Sequence, residues 1–432
     1  MSDAVLIGLD VGTSAVKAAV VDSDGSEIAQ GRAPTPWRPV PTGAELDPDE
    51  LLDAAAAAAR EAVAAAGSPR VAGIGVASMA ETGVLLDGGG RPVVPSIAWH
   101  DSRGAAEAER LAADLGAETF AARVGLPASA LCTLAKYRWM RDHRPGSERG
   151  VRWLNVAEWI VLGFGGEPAA ELSLASRTGF YDLHARRPWD DALAWADAPA
   201  GLMPEAVPAG TPMGTAGDRL AEARGAVLTV GGHDHLAAAV GAGAAGEGDV
   251  LDSCGTAEAF VRASAPLPPE RVARAVAGGI SVGWHAIEGR HALLGAHWSG
   301  AELRRVLATL GLTPEDRGPV EAAALEIERA GAGGDDGSPG ATYHAALEAV
   351  GAGGARILAG MAAVAGPARR LVVTGGWAAG EGAQAVKERH LGAFELSPTL
   401  STGARGAALA AGRAAGLWSV DDAPRDAVQE VS

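Results

Sequence analysis

Apolar β-formers fill positions 6–9, stop at Gly12-Thr13-Ser14 and resume over 16–21, a pattern that predicts two antiparallel strands around a tight turn. A helix is predicted over 48–63, where Pro48 opens a segment of acids followed by alanines. Positions 70–78 read as a buried strand. Positions 84–86 read as another, ending in Gly88-Gly89-Gly90, and 105–115 as a helix with its charges on one face. Helices at 131–141 and 153–162 lead to a loop marked by Pro204, Pro208 and Pro212. A strand over 226–231 then meets Gly231-Gly232 and hands over to a small-residue helix, which places His233, Asp234 and His235 at the junction.

The opening pattern recurs over 249–261, as strand, Gly255-Thr256 turn and strand. The region 311–341, richest in Gly, Pro and acids over 331–340, reads as a surface loop. A long helix is predicted over 342–364, a strand over 370–374 with a Gly375-Gly376 exit, and a closely packed helix over 401–412. The repeated hairpin implies an internal duplication, with two similar α/β domains at 1–242 and 248–432 offering one hairpin each to a shared cleft.

Composition narrows the function classes. A chain of 432 residues with 48% hydrophobic content suits two cores of roughly 200 residues each. A net charge of -17 without a basic stripe argues against nucleic acid. Cys132 and Cys254 lie too far apart in sequence for a disulfide framework, which points to a reducing compartment. No charged-then-apolar leader opens the chain and no apolar run reads as long enough to cross a bilayer, so the expectation is a soluble cytoplasmic protein without a membrane partner. A homodimer stays open.

The turn at Gly12 carries candidate chemistry. Gly12 lacks the Cβ that would block a close approach, the amides of Gly12, Thr13 and Ser14 can point at one anion, and two hydroxyls add donors. Asp10 would repel a bare phosphate but suits hydrated Mg²⁺. Taken alone, the segment reads equally well as an ordinary hairpin.

Two Gly-Thr hairpins, a Gly231-Gly232-His233-Asp234 strand end between them and a late Thr374-Gly375-Gly376-Trp377 exit are harder to produce by accident in this order than singly. Together with Trp99-His100-Asp101-Ser102-Arg103, and with softer landmarks at Glu45-Leu46-Asp47-Pro48 and 173–178, they resemble the FGGY carbohydrate kinases. The resemblance implies an α/β fold of two ribonuclease-H-like domains, as in actin-like ATPases, with a nucleotide and sugar cleft between them. It implies phosphorylation of a small neutral sugar or polyol by ATP with Mg²⁺. Asp234 would be the catalytic base and Asp10 would hold Mg²⁺ through water. Gly12, Thr13, Ser14, Gly255 and Thr256 would bind the phosphates. Gly375 and Gly376 match the adenosine motif, but Gly380 and Glu381 stand where relatives often have Asn; a plain strand-to-helix turn is the alternative. Met79, Ala80, Glu81 and Trp99 occupy the positions that touch substrate in relatives.

Ala80-Glu81-Thr82 looks like the Arg-Glu-Thr of glycerol kinases without its arginine, whereas xylulose kinases usually have Met-His-Gly there. A Glu81 carboxylate accepts hydroxyl hydrogen bonds and would repel an acidic sugar; capping a neighbouring amide is its other reading. Trp99 either stacks on a sugar or packs in a core, Lys17 either adds charge to the site or faces solvent, and Asp101 or Ser102 could simply cap a helix. Glu258 could face the sugar. Relatives are longer at 311–342, where a helix contributes to the nucleotide pocket; here an acidic loop is expected. That shortening leaves a non-catalytic nucleotide-binding regulator as the alternative function.

Overall fold

The computed structural model describes residues 4–331, 337–399 and 401–418, with the backbone of 429–430. The first sheet is built from β1 (Val5–Val11), β2 (Ala15–Val21), β3 (Glu27–Pro34), β4 (Val71–Ser78) and β5 (Val227–His233), in the order β5-β4-β1-β2-β3. β1 runs antiparallel to β2 and parallel to β4, β2–β3 is antiparallel, and β4–β5 is parallel. Leu6, Ile7, Leu9 and Val11 are all buried, which is why β1 is apolar almost throughout.

The second sheet repeats this plan. It contains β6 (Asp249–Cys254), β7 (Glu258–Ser264), β8 (Ser281–Trp284), β9 (His291–His297), β10 (Arg370–Thr374) and β11 (Glu395–Leu396), in the order β8-β9-β7-β6-β10-β11, with Gln429–Glu430 beyond β11. The β6–β7 and β7–β9 pairs are antiparallel; β6–β10 and β10–β11 are parallel. The strand sequence and senses of the first sheet are thus reproduced, with β8 added at one edge.

On one face of the first sheet lies α1 (Pro48–Ala65), which packs on β2 and β3. Further helices that matter here are α2 (Thr133–His143), α3 (Val156–Gly163), α4 (Asp234–Gly241), α5 (Ser299–Thr309), α6 (Gly318–Ala330), α7 (Pro339–Ala365), α8 (Glu381–Leu391) and α9 (Thr402–Ala414). Although α9 follows the second sheet in sequence, it packs on β1, β4, β5 and α4 of the first. The approach is very close. A Cβ on Gly8 would lie 1.7 Å from the Ala404 carbonyl oxygen and one on Gly75 1.9 Å from that of Ala407, so both positions need glycine. The two halves are therefore interlocked.

Three expectations change. The stretch 153–162 is not one helix: Arg152–Asn155 pairs as a strand with Gly83–Leu86, and α3 begins after it behind an Asn155–Glu158 capping box. Within 311–341, Gly318–Ala330 is a helix, because Glu321 to Ala330 is rich in alanine and glutamate and Gly331, at φ +60°, ends it. Positions 332–336 of the expected loop lie outside the described residues. Among the described residues one helix, α7, is long and apolar enough to cross a membrane; its apolarity comes from alanine and glycine. It packs on α6, α8, β7 and β9 and buries Tyr343, Leu347, Val350 and Met361.

Candidate active site

At the first hairpin, the Gly12 amide donates to the Ala15 carbonyl at 3.2 Å and so closes the turn instead of pointing at an anion. The tip is braced from outside. Thr35 Oγ1 donates to the Gly12 carbonyl at 2.7 Å, Trp37 Nε1 to the Thr13 carbonyl at 2.7 Å, and Trp99 Nε1 to Thr13 Oγ1 at 2.8 Å. A hydroxyl that accepts from Trp99 keeps its own proton to donate, so Trp99 orients Thr13 as a donor. The neighbouring Asp101 does not cap a helix: it accepts from the Ala44 amide at 3.1 Å and pairs with Arg103 at 2.6 Å.

Asp10 sits one residue from the end of β1, half-buried. Its Oδ2 lies against α9, where a Cβ on Gly403 would come within 2.7 Å, while Oδ1 lies 4.0 Å from a Cβ placed on Gly12. Oδ1 is buried and has no hydrogen-bond partner among the described residues. Burial, then the charge of Asp234, pushes the Asp10 carboxyl up to about 6. Lys17 pairs with Asp10 across the strands; it is exposed and its charge acts in the opposite sense.

Asp234 is the first residue of α4, directly after a register shift in β5 at which Gly232 takes φ +106°. Its Oδ1 accepts from the His235 amide at 2.7 Å and lies 3.2 Å from His233 Nε2. The His233 amide in turn donates to Ser173 Oγ at 2.9 Å, and that hydroxyl donates to Glu171 Oε2 at 2.6 Å. Asp234 is thus held by a chain of buried groups. Burial raises its carboxyl to about 7 despite the His235 amide, and the nearby Glu81 charge adds to the rise.

Glu81 has a left-handed backbone, φ +56°. Its Oε1 accepts from Arg177 Nε at 2.6 Å, and Arg177 NH1 donates across to Ser281 Oγ of β8 at 2.7 Å. These three line a cleft of about 200 Å³ whose other walls include Leu126, Leu131 and Ile280. Met79 and Ala80, by contrast, are buried in the core of the first half, so their side chains do not face a substrate.

The second hairpin carries its own closed turn: the Gly255 amide donates to the Ser253 and Ala257 carbonyls, each at 3.1 Å. Beside it, Gly375 adopts φ +105° and a Cβ there would lie 2.4 Å from the Cys254 carbonyl oxygen. Gly376 has open space where a side chain would be and lines a cavity of about 290 Å³ with Thr374, Ala378, Leu396 and Ser397. Helix α6 borders this region. Arg317, its N-cap, donates to the Gly376 carbonyl at 2.9 Å and lies over the Trp377 ring, 5.4 Å from its centroid. Gly380 makes room for Glu321, whose Cδ would be 2.3 Å from a Cβ at that position. Glu258 does not face the sugar site: it is buried against Lys387 and lies 3.0 Å from His297. The two hairpins are linked through α4, which starts at Asp234 and packs on β6 and β7.

Residues 5–241 match the model of the FGGY family of carbohydrate kinases, N-terminal domain. The chain belongs to this family. It is 31% identical to a glycerol kinase from Aromatoleum aromaticum over 96% of its own length and 90% of that protein. A xylulose kinase from Streptomyces coelicolor is 32% identical over 55% of this chain and 50% of its own. The solved xylulose kinase from Rhodospirillum rubrum, 26% identical, superposes with a TM-score of 0.84 over 94% of this chain and 89% of that one. The protein is a carbohydrate kinase of the two-domain actin-like ATPase fold.

Two residues around Glu81 of the kinase, Arg177 in the cleft and Lys136 behind it, had no role in the sequence reading. Arg177 stands in the 173–178 landmark, and nothing local reveals that it meets Glu81. Lys136 projects from the buried face of α2 beside Tyr137 and Met140, and its Nζ donates to the Trp99 carbonyl at 2.5 Å and the Leu131 carbonyl at 3.2 Å. Burial brings its ammonium down to about 8 against the pull of Glu81. A lone lysine on an otherwise apolar helix face was the available signal.

Proposed function

We propose that this kinase transfers the γ-phosphoryl group of ATP to a hydroxyl of a small neutral polyol or ketose, with Asp234 as general base. The observation that carries the reading is the Asp10–Asp234 carboxylate pair beside the Glu81–Arg177 pair. A base that ionises near pH 7 suits proton removal from a hydroxyl as it attacks phosphorus, and while Oδ1 of Asp234 is held, Oδ2 has no hydrogen bond among the described residues. The unpaired, buried Asp10 Oδ1 fits a hydrated Mg²⁺, which when bound would offset phosphate charge. Thr13 and Ser14 on one side and Thr256 on the other supply phosphate donors, and Gly376 gives the base of the nucleotide an open wall where Gly375 turns the chain against Cys254.

Arg177 refines the substrate argument. It supplies from another part of the chain the guanidinium that Ala80 lacks, so the pair with Glu81 is neutral overall and offers both donors and an acceptor. Such a pair favours uncharged polyhydroxy compounds, in keeping with the glycerol and xylulose kinases among the relatives. The division at 242–248 is kept as the boundary between the domains, with α9 crossing back.

The test is an ATP-consumption screen over glycerol, tetruloses, pentuloses and hexuloses, with Asp234→Asn run beside the native chain. Turnover confined to the native protein supports the assignment. Turnover that survives the substitution removes Asp234 from its role, and no turnover with any acceptor favours a nucleotide-binding regulator.

A further inference from the structure

A third cavity, of about 270 Å³, shares no lining residue with the Glu81–Arg177 cleft or with the Gly376 cavity. His184, His285, His291, Arg290, Arg186 and Glu288 supply its polar side chains, His184 with its Nε2 on the Ala122 carbonyl, and Trp284 and Leu172 stand on its apolar wall. It is built from both halves of the chain.

The tautomers of the two buried histidines follow from their partners. His285 Nδ1 accepts from the Ile287 amide at 2.9 Å, and His291 Nδ1 accepts from the Leu267 amide at 3.0 Å. Burial keeps both rings neutral, lowering His285 to about 3 and His291 to about 4. A neutral ring whose Nδ1 accepts must carry its proton on Nε2, so both present an Nε2–H donor. For His285 that donor is fully buried and has no partner among the described residues. An unmet buried donor is costly, and one that lines a cavity calls for an acceptor from outside the chain.

The charges agree. Arg186 and Arg290 bring two guanidiniums, of which Arg290 NH1 also donates to the Ala245 carbonyl. The one carboxylate in the lining, Glu288, lies 3.3 Å from Arg186. The cavity is therefore net positive in a chain whose formal charge is -17. We propose that it binds a small organic phosphate, its phosphoryl oxygens accepting from His285, His291 and the arginines and its carbon portion lying against Trp284.

The position gives such a ligand a route to the catalytic strand end. Ala286, next to His285, is 3.3 Å from a Cβ placed on Gly232, and Leu172 stands between Glu171 and Ser173, the groups that pin the His233 amide. Occupancy from both halves would bias the segment that carries Asp234.

The experiment is histidine-selective NMR of the full chain, titrated with glycerol 3-phosphate, inorganic phosphate and citrate while ADP and xylulose fill the active site. The His285 and His291 signals are identified by His285→Phe and His291→Phe. Saturable shifts of both signals with glycerol 3-phosphate, weakened by about tenfold in Arg290→Gln and also weakened in Arg186→Gln, support the site. Arg186 is exposed on a hairpin tip, so its variant keeps the test valid if Arg290→Gln fails to fold. Unmoved histidine signals, an affinity unchanged in the arginine variants, or a response to citrate without one to phosphate would overturn the proposal.

Discussion

The two hairpins share strand senses, a Gly-Thr turn and a glycine amide spent on closing that turn, yet they put their carboxylates to opposite uses. Asp10 stands two residues before its glycine and Asp252 three before its own. Side chains alternate along a strand, so this offset of one residue sends Asp10 toward Asp234 and Asp252 into the core. There Asp252 meets Lys387 at 2.7 Å, and Glu258 joins the same ammonium. Against burial, His297 and Lys387 hold Glu258 down to about 2, while the carboxylates around Lys387 keep its proton on. One hairpin leaves a carboxylate oxygen unpaired among the described residues, as the proposed chemistry requires; the other neutralises its carboxylate against a buried lysine.

If that division is right, the variants separate by readout. Asp234→Asn is expected to lower kcat by about 10² to 10⁴ with little change in Tm, measured by steady-state kinetics and calorimetry. Lys387→Met strands two buried carboxylates and is expected to cost about 3–5 kcal/mol in urea unfolding, while the protein that remains folded keeps its KM for ATP. An equal loss of stability in Asp10→Asn would erase the contrast between the hairpins.

Acidity offers a finer probe. Because Asp234 titrates near 7, kcat/KM should rise with pH up to about 7 and then level off. Without Mg²⁺, Asp10 and Asp234 hold protons more tightly folded than unfolded. Their contribution to stability is thus complete below about pH 4 and is lost as pH rises through 6 to 7. Asp10→Asn should flatten part of that fall, and a pH series of thermal melts would detect it. The smallest effect concerns Arg177→Lys, which keeps the charge but loses the fork. KM for the polyol is expected to rise by about tenfold with kcat nearly unchanged, and a drop in kcat alone would place Arg177 elsewhere in the mechanism.

Both hairpins, the strand end at Asp234 and the order of elements were legible in the sequence because turn chemistry and apolar period are local properties. Glu81 and Arg177 were not paired in advance, since they lie 96 positions apart and meet only through the packing of the 173–178 segment. Met79 and Ala80 are expected at the substrate because they occupy positions that touch it in relatives, whereas the chain turns at Glu81 and leaves both in the core. Helix α6 was hidden by its flanks: Gly311, Pro314, Gly318, Pro319 and Gly331 punctuate the region strongly enough to mask the helical run between them. Arg317 and Glu321 of this helix brace the Gly376 and Gly380 turns, beside the cavity proposed above for the nucleotide.

Helix α9 has a consequence for how the chain comes to be folded. Leu6, Ala19 and Val21 form one cluster with Ala404, Ala408 and Ala411, so the earliest strands to be synthesised wait for one of the latest helices before that face of their sheet is dry. Until then the sheet exposes an apolar face shaped by glycine to take a helix. A nascent chain halted before 402 would be a client for chaperones, and a protein divided near 245 would regain its structure only when the two fragments are mixed.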